Sequence, residues 1–288
     1  LSTVLNTIER PFRKELSEIG YTIFDPLDEK VVSEFVDFYH NLQSPILSGF
    51  HPSMFWNDVN LKKIISDKIS TVLENWVRNN FPDYKILYGN FMVKEPGENS
   101  IMKIHQDWSY VEETQYQSFA IWFPLRDLTS KNGALSMIPK SHLFNNHDRG
   151  PGVHCPFYVN EDFLIENFGK SLYLKRGQPV VWEHHLLHYS PPNLSENSRI
   201  AVTAIIVPND IPVYHYVKNE EKNLLEQFEI EPDFYVNYKI GSRPEKFAKI
   251  KQQKEISIPI YSKADLKKTL ANVQDYPPQK WLKKLKNI

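Results

Sequence analysis

Three side chains of the sequence have the types and the spacing of a metal site. His105 and Asp107 stand two residues apart in a stretch that predicts a strand. Alternate residues of a strand project from the same face, so both side chains can reach one point while Gln106 points away. A second imidazole, from His188, would complete a set of two histidines and one carboxylate. Such a set covers one face of an octahedron, as in non-haem Fe(II) oxygenases, and leaves three positions open.

The His105–Asp107 pair alone also fits an exposed strand histidine beside a turn aspartate. His188 favours the metal site, because it ends an apolar strand that we predict over 179–187 and precedes a turn. The chain then returns as a strand predicted over 199–207 and buried on both faces. Arg199 at its start needs a partner, since an unpaired buried cation is costly. A hairpin would bring its guanidinium near His188, where it could bind the far carboxylate of a 2-oxo acid that chelates the metal. An ordinary ion pair with an Asp or Glu is the alternative.

These stretches resemble the phytanoyl-CoA dioxygenase-like family of Fe(II)/2-oxoglutarate oxygenases over roughly residues 10–208. The resemblance implies that His105, Asp107 and His188 bind Fe(II). It also implies that Arg199, with help from Ser190, binds the C5 carboxylate of 2-oxoglutarate, and that Trp122 lines the cosubstrate pocket. The matching stretches are His105-Gln106-Asp107, Asn132-Gly133-Ala134-Leu135 leading into Ile138-Pro139-Lys140-Ser141-His142, and His188-Tyr189-Ser190 with Asn193 and Arg199.

Two positions depart from the family's pattern. Lys140 stands where glycine is usual before Ser-His, and Gln178 where aspartate commonly follows the glycine. Both affect local turns and neither belongs to the triad. Related halogenases replace the metal-binding carboxylate with a small residue, so the presence of Asp107 favours hydroxylation or another oxidation. The resemblance implies that 2-oxoglutarate and O2 are consumed, succinate and CO2 are released, and a small organic metabolite is hydroxylated.

The remaining histidines offer rival ligands or none. His184 lies four residues before His188, so on a continuous strand it would share that face, but the family spacing to Arg199 favours His188. His142 is expected to order a turn. Cys155 as a nucleophile has no supporting signature. Three residues fall in the stretch 141–170, which we predict to be irregular, and are expected to be exposed or to contact substrate: His147, His154 and Cys155.

The elements that must position these residues change in type along the chain. Periodicity predicts helices over 10–20, from residue 28 and over 61–79. Short strands separated by turn-type residues then predict a β region. The extension after residue 208 has possible strands at 213–217 and 234–240 and a helix near 264–271. The β region comprises predicted strands at 85–93, 100–108, 119–125, 134–138, 171–174, 179–187 and 199–207.

This order of elements predicts a single dioxygenase domain over 1–288, mainly β with flanking helices. Its core, 83–208, is expected to be a double-stranded β-helix (jelly roll, cupin-like). The mainly helical N-terminal region, 1–82, should pack outside that core. The C-terminal extension 209–288 is a possible lid. Irregular segments around the mouth of the core should contact substrate, and these are 44–58, 108–118 and 143–165.

Composition narrows the class of protein further. The net charge is −1 and no apolar run approaches the ~20 residues of a membrane span, so neither nucleic acid nor membrane is an expected partner. One cysteine excludes an internal disulfide and fits a reducing compartment, which favours a cytoplasmic location. Residues 243–288 hold 12 Lys/Arg against 4 Asp/Glu, which is either a solvated face or a phosphate contact. For a CoA-linked substrate that contact would involve Lys283, Lys284 and Lys286.

Two other functions fit the same residues. A cupin-type metal-dependent isomerase or hydrolase would bind metal without responding to 2-oxoglutarate, and it would leave Arg199 unexplained. A non-catalytic jelly-roll binding protein would bind no metal. The oligomeric state and the substrate, free or carrier-linked, are not determined by the sequence.

Overall fold

The computed structural model describes residues 11–144, 147–239, 242–244 and 248–271. Its helices are α1 (Pro11–Ile19), α2 (Glu29–Asn41), α3 (Val59–Asn80), α4 (Glu161–Phe168), α5 (Phe234–Asn237) and α6 (Lys263–Leu270). Its strands are β1 (Tyr21–Ile23), β2 (Phe50–Pro52), β3 (Tyr84–Lys94), β4 (Met102–His105), β5 (Phe119–Pro124), β6 (Ser136–Met137), β7 (Lys170–Ser171), β8 (Val180–Glu183), β9 (His188–Ser190), β10 (Arg199–Pro208), β11 (Tyr214–Asn219), β12 (Leu224–Ile230) and β13 (Ala248–Glu255).

Two sheets form the core of the fold. The larger sheet has the strand order β1-β8-β5-β10-β3-β2, and the smaller has the order β4-β9-β6-β7. Strand β10 lies between β3 and β5, so Thr203 is opposite both Asn90 and Trp122. Side chains from both sheets, among them Met137 and Ala201, share one apolar cluster. The predicted mainly β, jelly-roll class is confirmed, as two separate sheets rather than a closed barrel.

The N-terminal helices cover the outer face of the larger sheet. Asp58 is the N-cap of helix α3, and its carboxylate accepts a hydrogen bond from the Leu61 N–H at 3.0 Å. Its buried stripe packs on outward-facing residues of β3, β5 and β10. Gly89 allows this close packing, because a Cβ at that position would lie 2.4 Å from Cγ2 of Ile69. The predicted packing of helices outside the sheets is therefore confirmed.

Several segments differ from the sequence predictions. Helix α4 occupies part of the stretch 141–170, which we expected to be irregular. Residues Phe234–Asn237 form helix α5, so the strand predicted over 234–240 is wrong. All of Phe234, Tyr235 and Val236 are buried, and a short apolar run buried on every side carries no period that separates helix from strand. Strands β12 and β13 were not predicted.

The C-terminal strands form a third sheet, in the order β11-β12-β13. Two backbone bonds fasten it to the rest of the molecule: the Tyr214 N–H donates to the carbonyl of Tyr110 at 2.8 Å, and the Lys218 N–H donates to that of Pro151 at 3.0 Å. The described part of the extension therefore packs on the loops after β4 and β6. Among the described helices, none is both long and apolar enough to cross a membrane.

Candidate active site

His105, Asp107 and His188 come together between the two sheets. One ligand atom of each lies within 4.8 Å of the others. The two histidines are opposite each other in the pairing of β4 with β9, and their ring centroids are 4.2 Å apart. Nε2 of His188 lies 3.6 Å from Oδ1 of Asp107. The three side chains can therefore present their ligand atoms to one cation.

The chain reaches this arrangement by a path that we did not predict. Strand β8 ends at Glu183, a turn follows, and His188 begins β9 in the opposite sheet. The continuous strand predicted over 179–187 is therefore wrong, and so is the hairpin between His188 and Arg199. Strand β9 pairs with β4 and β6, whereas β10 pairs with β3 and β5. Arg199 and His188 belong to facing sheets rather than to one ladder.

Main-chain carbonyls set the tautomer of both histidines. Nδ1 of His105 lies 2.9 Å from the carbonyl oxygen of Lys103, and Nδ1 of His188 lies 3.0 Å from that of Leu186. A carbonyl can only accept, so each Nδ1 carries a proton and each Nε2 is the ring nitrogen left for a cation. Burial, reinforced by His188, lowers the pKa of His105 to about 4. Neutral imidazoles oriented in this way are what a divalent metal requires.

Asp107 is held as a carboxylate, and one of its two oxygens already accepts a hydrogen bond. Its Oδ2 accepts a hydrogen bond from Nε1 of Trp182 at 2.8 Å, and its N–H donates to the carbonyl of His184 at 3.0 Å. Burial alone would raise its pKa. The adjacent imidazoles, His188 first among them, and the Trp182 bond reverse this effect and lower the pKa of Asp107. The other oxygen, Oδ1, faces His188 and is left for a cation.

The rival ligand His184 lies outside this group. The turn after β8 directs its Nδ1 to the hydroxyl of Ser118 at 2.7 Å, and its ring lies 4.8 Å from that of Tyr110. His184 is therefore not on a shared strand face with His188. Burial lowers its pKa to about 4. Its backbone carbonyl, rather than its ring, serves the site by accepting from Asp107.

The other singled-out residues take separate positions. Nε2 of His142 lies 3.1 Å from the carbonyl of Ser17, so its ring contacts helix α1. His154 is exposed, as expected. His147 is half-buried, and burial lowers its pKa to about 4, so it is not merely exposed. Burial raises the pKa of Cys155, which disfavours the thiolate that a nucleophile needs.

Arg199 is a buried cation, and not all of its N–H groups have a hydrogen-bond acceptor. Its side chain is 2% exposed, and no Asp or Glu of the described ranges forms an ion pair with it. Nη2 has the carbonyl of Gly133 at 3.5 Å, whereas Nε has no hydrogen-bond partner. The guanidinium lies 5.4 Å from the Trp122 ring, and burial lowers its pKa to about 9. The ion pair that we considered as an alternative is absent from the part of the chain that the structure describes.

Lys94 links Arg199 to Ser190. The buried hydroxyl of Ser190 has no hydrogen-bond partner. Lys94, opposite Arg199 in the pairing of β10 with β3, is fully buried, and its Nζ donates to the carbonyls of Ser100, Ser190 and Pro191. Burial, followed by the charge of Arg199, lowers the pKa of Lys94 to about 6. The Arg199 guanidinium is therefore the buried cation of this region that suits an anion.

Sequence reasoning missed Lys94 and also the pair Asn90 and Thr203. Asn90 and Thr203 are cross-strand neighbours and are nearly fully buried, and Oδ1 of one and Oγ1 of the other lack hydrogen-bond partners. By strand alternation they share the inward face with Arg199. The next inward residue of β10, Ile205, is opposite Ala120 of β5, and Ala120 is opposite Trp182 of β8. Trp182 is the residue that donates to Asp107. Polar residues at inward positions of apolar strands were the available signal.

Comparison with known proteins places the chain in a family. The model of the phytanoyl-CoA dioxygenase (PhyH) family matches residues 23–201. A phytanoyl-CoA dioxygenase domain-containing protein 1 homolog of Dictyostelium discoideum is 32% identical over 124 residues, which are 37% of this chain and 41% of that protein. A phytanoyl-CoA dioxygenase of Arabidopsis thaliana is 31% identical over 133 residues, 43% of this chain and 45% of that protein. The chain thus spans less than half the length of these relatives.

Solved structures share the fold at low identity. HygX from Streptomyces hygroscopicus, solved with nickel and 2-oxoglutarate, has a TM-score of 0.52 at 12% identity, covering 71% of this chain and 88% of that chain. The epimerase SnoN, solved with Fe3+, alpha ketoglutarate and nogalamycin RO, has a TM-score of 0.53 at 13% identity, covering 86% and 95%. At such identities the likeness extends to the fold alone.

Proposed function

Because this chain belongs to the phytanoyl-CoA dioxygenase family, we propose that it is a non-haem Fe(II)- and 2-oxoglutarate-dependent oxygenase. One observation carries the proposal. A group of two histidines and one carboxylate lies between two sheets, and a buried guanidinium without a carboxylate partner in the described residues lies on the facing sheet. A metal alone needs only the first feature, whereas a metal-chelating 2-oxo acid needs both.

The residues present fit Fe(II). His105 and His188 offer unprotonated Nε2 atoms, and Asp107 offers one carboxylate oxygen. Two imidazoles and one carboxylate are the donor set of non-haem Fe(II) oxygenases and leave positions open for other ligands. Bound iron would supply the oxidation of substrate, with 2-oxoglutarate and O2 consumed and succinate and CO2 released.

The pocket around Arg199 fits the far carboxylate of 2-oxoglutarate. A planar guanidinium with unused donors can bind a carboxylate through two parallel hydrogen bonds, and the unpartnered hydroxyl of Ser190 can donate a further one. Trp122 forms an apolar wall beside the guanidinium. We propose Asn90 and Thr203 as further contacts, because their unpartnered polar atoms lie on the inward face between this pocket and Trp182.

The proposed reaction is hydroxylation of a small organic metabolite. Asp107 occupies the position that halogenases leave to a halide, which supports oxygen insertion over halogenation. We further propose that residues 1–288 act as one catalytic domain, because β1 and β2 of the N-terminal region complete the larger sheet and β11 bonds to the loop after β4. Residues 272–288, including the lysines considered for a CoA-linked substrate, lie outside the described residues.

Anaerobic spectroscopy tests this proposal directly. Fe(II) and 2-oxoglutarate added to metal-free protein should produce the weak visible charge-transfer band of a chelated 2-oxo acid. His188→Ala should abolish the band and Arg199→Ala should weaken it, while His184→Ala should leave it in place. Iron binding without a band would favour the metal-dependent isomerase or hydrolase. Absence of iron binding would refute the oxygenase assignment.

A further inference from the structure

A second cluster of buried charges lies directly behind Asp107. Nη2 of Arg149 lies 2.7 Å from Oε1 of Glu113, and the two side chains are 6% and 8% exposed. Nε2 of His185 lies 3.1 Å from Oε2 of the same carboxylate. The neighbouring charges of Arg149 and His185 outweigh burial, which by itself would raise the pKa of Glu113, and hold that pKa far below its usual value. We name Glu113, Arg149 and His185 the Arg149 cluster.

Every nitrogen of the Arg149 side chain has an acceptor. Nε donates to the backbone carbonyl of Asp107 at 2.7 Å, Nη1 donates to the carbonyl of His147 at 3.0 Å, and Nη2 bonds to Glu113. The direction of the guanidinium is therefore fixed by three groups at once. One of those groups is the main chain of a residue in the metal group.

The segment that carries Asp107 is held on both sides by this cluster. The Ser109 N–H donates to the carbonyl of Arg149, and the Arg149 N–H donates to the hydroxyl of Ser109, each at 3.0 Å. On the other side the amide of Gln106 donates to the carbonyl of His185. Asp107 lies past the end of β4, so no strand pairing holds its backbone. Besides the bond from the Asp107 N–H to the carbonyl of His184, the Arg149 cluster restrains this backbone.

The C-terminal sheet supports the loop of Arg149 from behind. Nζ of Lys254 lies 2.6 Å from Oδ2 of Asp148. A Cβ at Gly150 would lie 1.9 Å from the carbonyl oxygen of Tyr216, so the loop and strand β11 touch backbone to backbone. Taken together with the bond from Lys218 to Pro151, these contacts fix the main chain around Arg149. The described part of the C-terminal extension therefore supports the loop that carries Arg149.

Stability alone does not account for such a cluster. A buried ion pair seldom stabilises a protein more than apolar residues of the same volume, because both charges must be stripped of water. Residues that orient metal ligands, by contrast, commonly raise metal affinity 10- to 100-fold. The contacts of the Arg149 cluster converge on the main chain of Asp107, which is where such an effect would arise.

We propose that Arg149, clamped by Glu113, is a positioning residue that holds the Asp107 carboxylate in place for the metal. This inference rests on the proposed function, since it takes Asp107 to be a ligand. Its effect would be on the geometry and the metal affinity of the site.

The test uses a variant that removes both charges at once, Glu113→Gln with Arg149→Met. Removing both partners avoids a buried unpaired carboxylate, so the chain should fold. Glu113→Gln alone keeps the Arg149 bond to Asp107 but removes the clamp, so it should give an intermediate effect. Arg78→Met, on an exposed helix pair with Glu74, controls for loss of a surface ion pair. Should the double variant fail to fold, Arg149→Lys takes its place, since one ammonium cannot reach all three acceptors.

Two measurements then separate this inference from the proposed function. Hydrogen exchange of metal-free protein should rise about tenfold or more in the segment 105–109 of the double variant, should rise less in Glu113→Gln, and should stay unchanged in Arg78→Met. The Co(II) dissociation constant, followed by visible absorption, should rise about 10- to 100-fold. Unchanged exchange in that segment, or unchanged Co(II) affinity in folded variant protein, would overturn the inference. Wild-type protein that binds no Co(II) while variant exchange rises would overturn the proposed function and leave the positioning of Asp107 supported.

Discussion

Replacing Arg199 with methionine should make the ligand-free protein more stable while removing its affinity for 2-oxoglutarate. The guanidinium is buried, and its pKa is lowered from 12.5 to about 9 by loss of water. At 1.36 kcal/mol per pKa unit this corresponds to about 5 kcal/mol against the charged form. Methionine fills a similar volume without that penalty. An enzyme would maintain such a cost only if an anion compensates it during function.

The net gain is smaller, because Arg199 also makes favourable contacts. The ring of Trp122 and the carbonyl of Gly133 contribute about 1–3 kcal/mol together. The variant should then be about 2–4 kcal/mol more stable, which raises Tm by roughly 3–7 °C for a chain of this length. Loss of a buried charge pair with a carboxylate costs about 2–5 kcal/mol. The dissociation constant for 2-oxoglutarate should accordingly rise about 30-fold or more.

Thermal unfolding with and without ligand measures both effects. Wild type, Arg199→Met and Arg199→Lys should be compared in metal-free buffer and with Co(II) plus 2-oxoglutarate. Wild type should gain Tm from the cosubstrate, Arg199→Lys should gain less, and Arg199→Met should gain nothing beyond the effect of Co(II). A metal-free Arg199→Met protein less stable than wild type by several kcal/mol would refute the reasoning, because it would show that a carboxylate of the protein already pairs with the guanidinium.

Three further predictions concern the metal group, the packing of α3 and the response to acid. His188→Ala should weaken Co(II) binding by more than the 10- to 100-fold that orienting residues contribute, and His184→Ala should weaken it by less, as measured by equilibrium dialysis. Gly89→Ala should destabilise the fold by about 1–3 kcal/mol in urea, because its Cβ would meet Ile69. The same change should cost less in an Ile69→Ala background, and an equal cost would contradict the contact. Burial lowers the pKa of His215 to about 3, so between that value and about 6.5 only the unfolded chain binds the proton, and stability falls as pH falls. From pH 7 to pH 5 the wild type should lose about 2 kcal/mol more than His215→Phe, and equal losses in urea titrations would contradict this.

The sequence was informative where residue type and local spacing decide the outcome. His105 and Asp107 could be paired because neighbours two apart are close in any extended chain, and the structure brings them together. Arg199 stood out because a cation heading an apolar strand has few ways to be satisfied. The helices outside the sheets followed from regular apolar stripes. These features depend on short-range geometry, which the sequence encodes directly.

The path of the chain between the sheets could not be predicted. Residues 184–187 cross from β8 to β9, yet they contain neither glycine nor proline and Leu186 and Leu187 are fully buried, so they have the composition of a strand. The Arg149 cluster joins loops whose residues lie 36 positions apart, and charged loop residues are usually solvated. Strand β13 is rich in lysine and glutamine and lies at the edge of its sheet, where the apolar alternation of a half-buried strand is absent.

The division of the site between two sheets has a consequence for ligand length. His105 and His188 belong to the smaller sheet, and Arg199 belongs to β10 of the larger one. The span between a bound metal and the guanidinium is therefore set by how far apart the sheets pack, about 10 Å in β-sandwiches, rather than by a loop that can adjust. We expect a 2-oxo diacid one carbon shorter or longer than 2-oxoglutarate to reach either the metal or the Arg199 guanidinium, but not both. Selection by chain length would then be a property of the core packing, and substitutions that thicken or thin the interior should change which diacid is accepted.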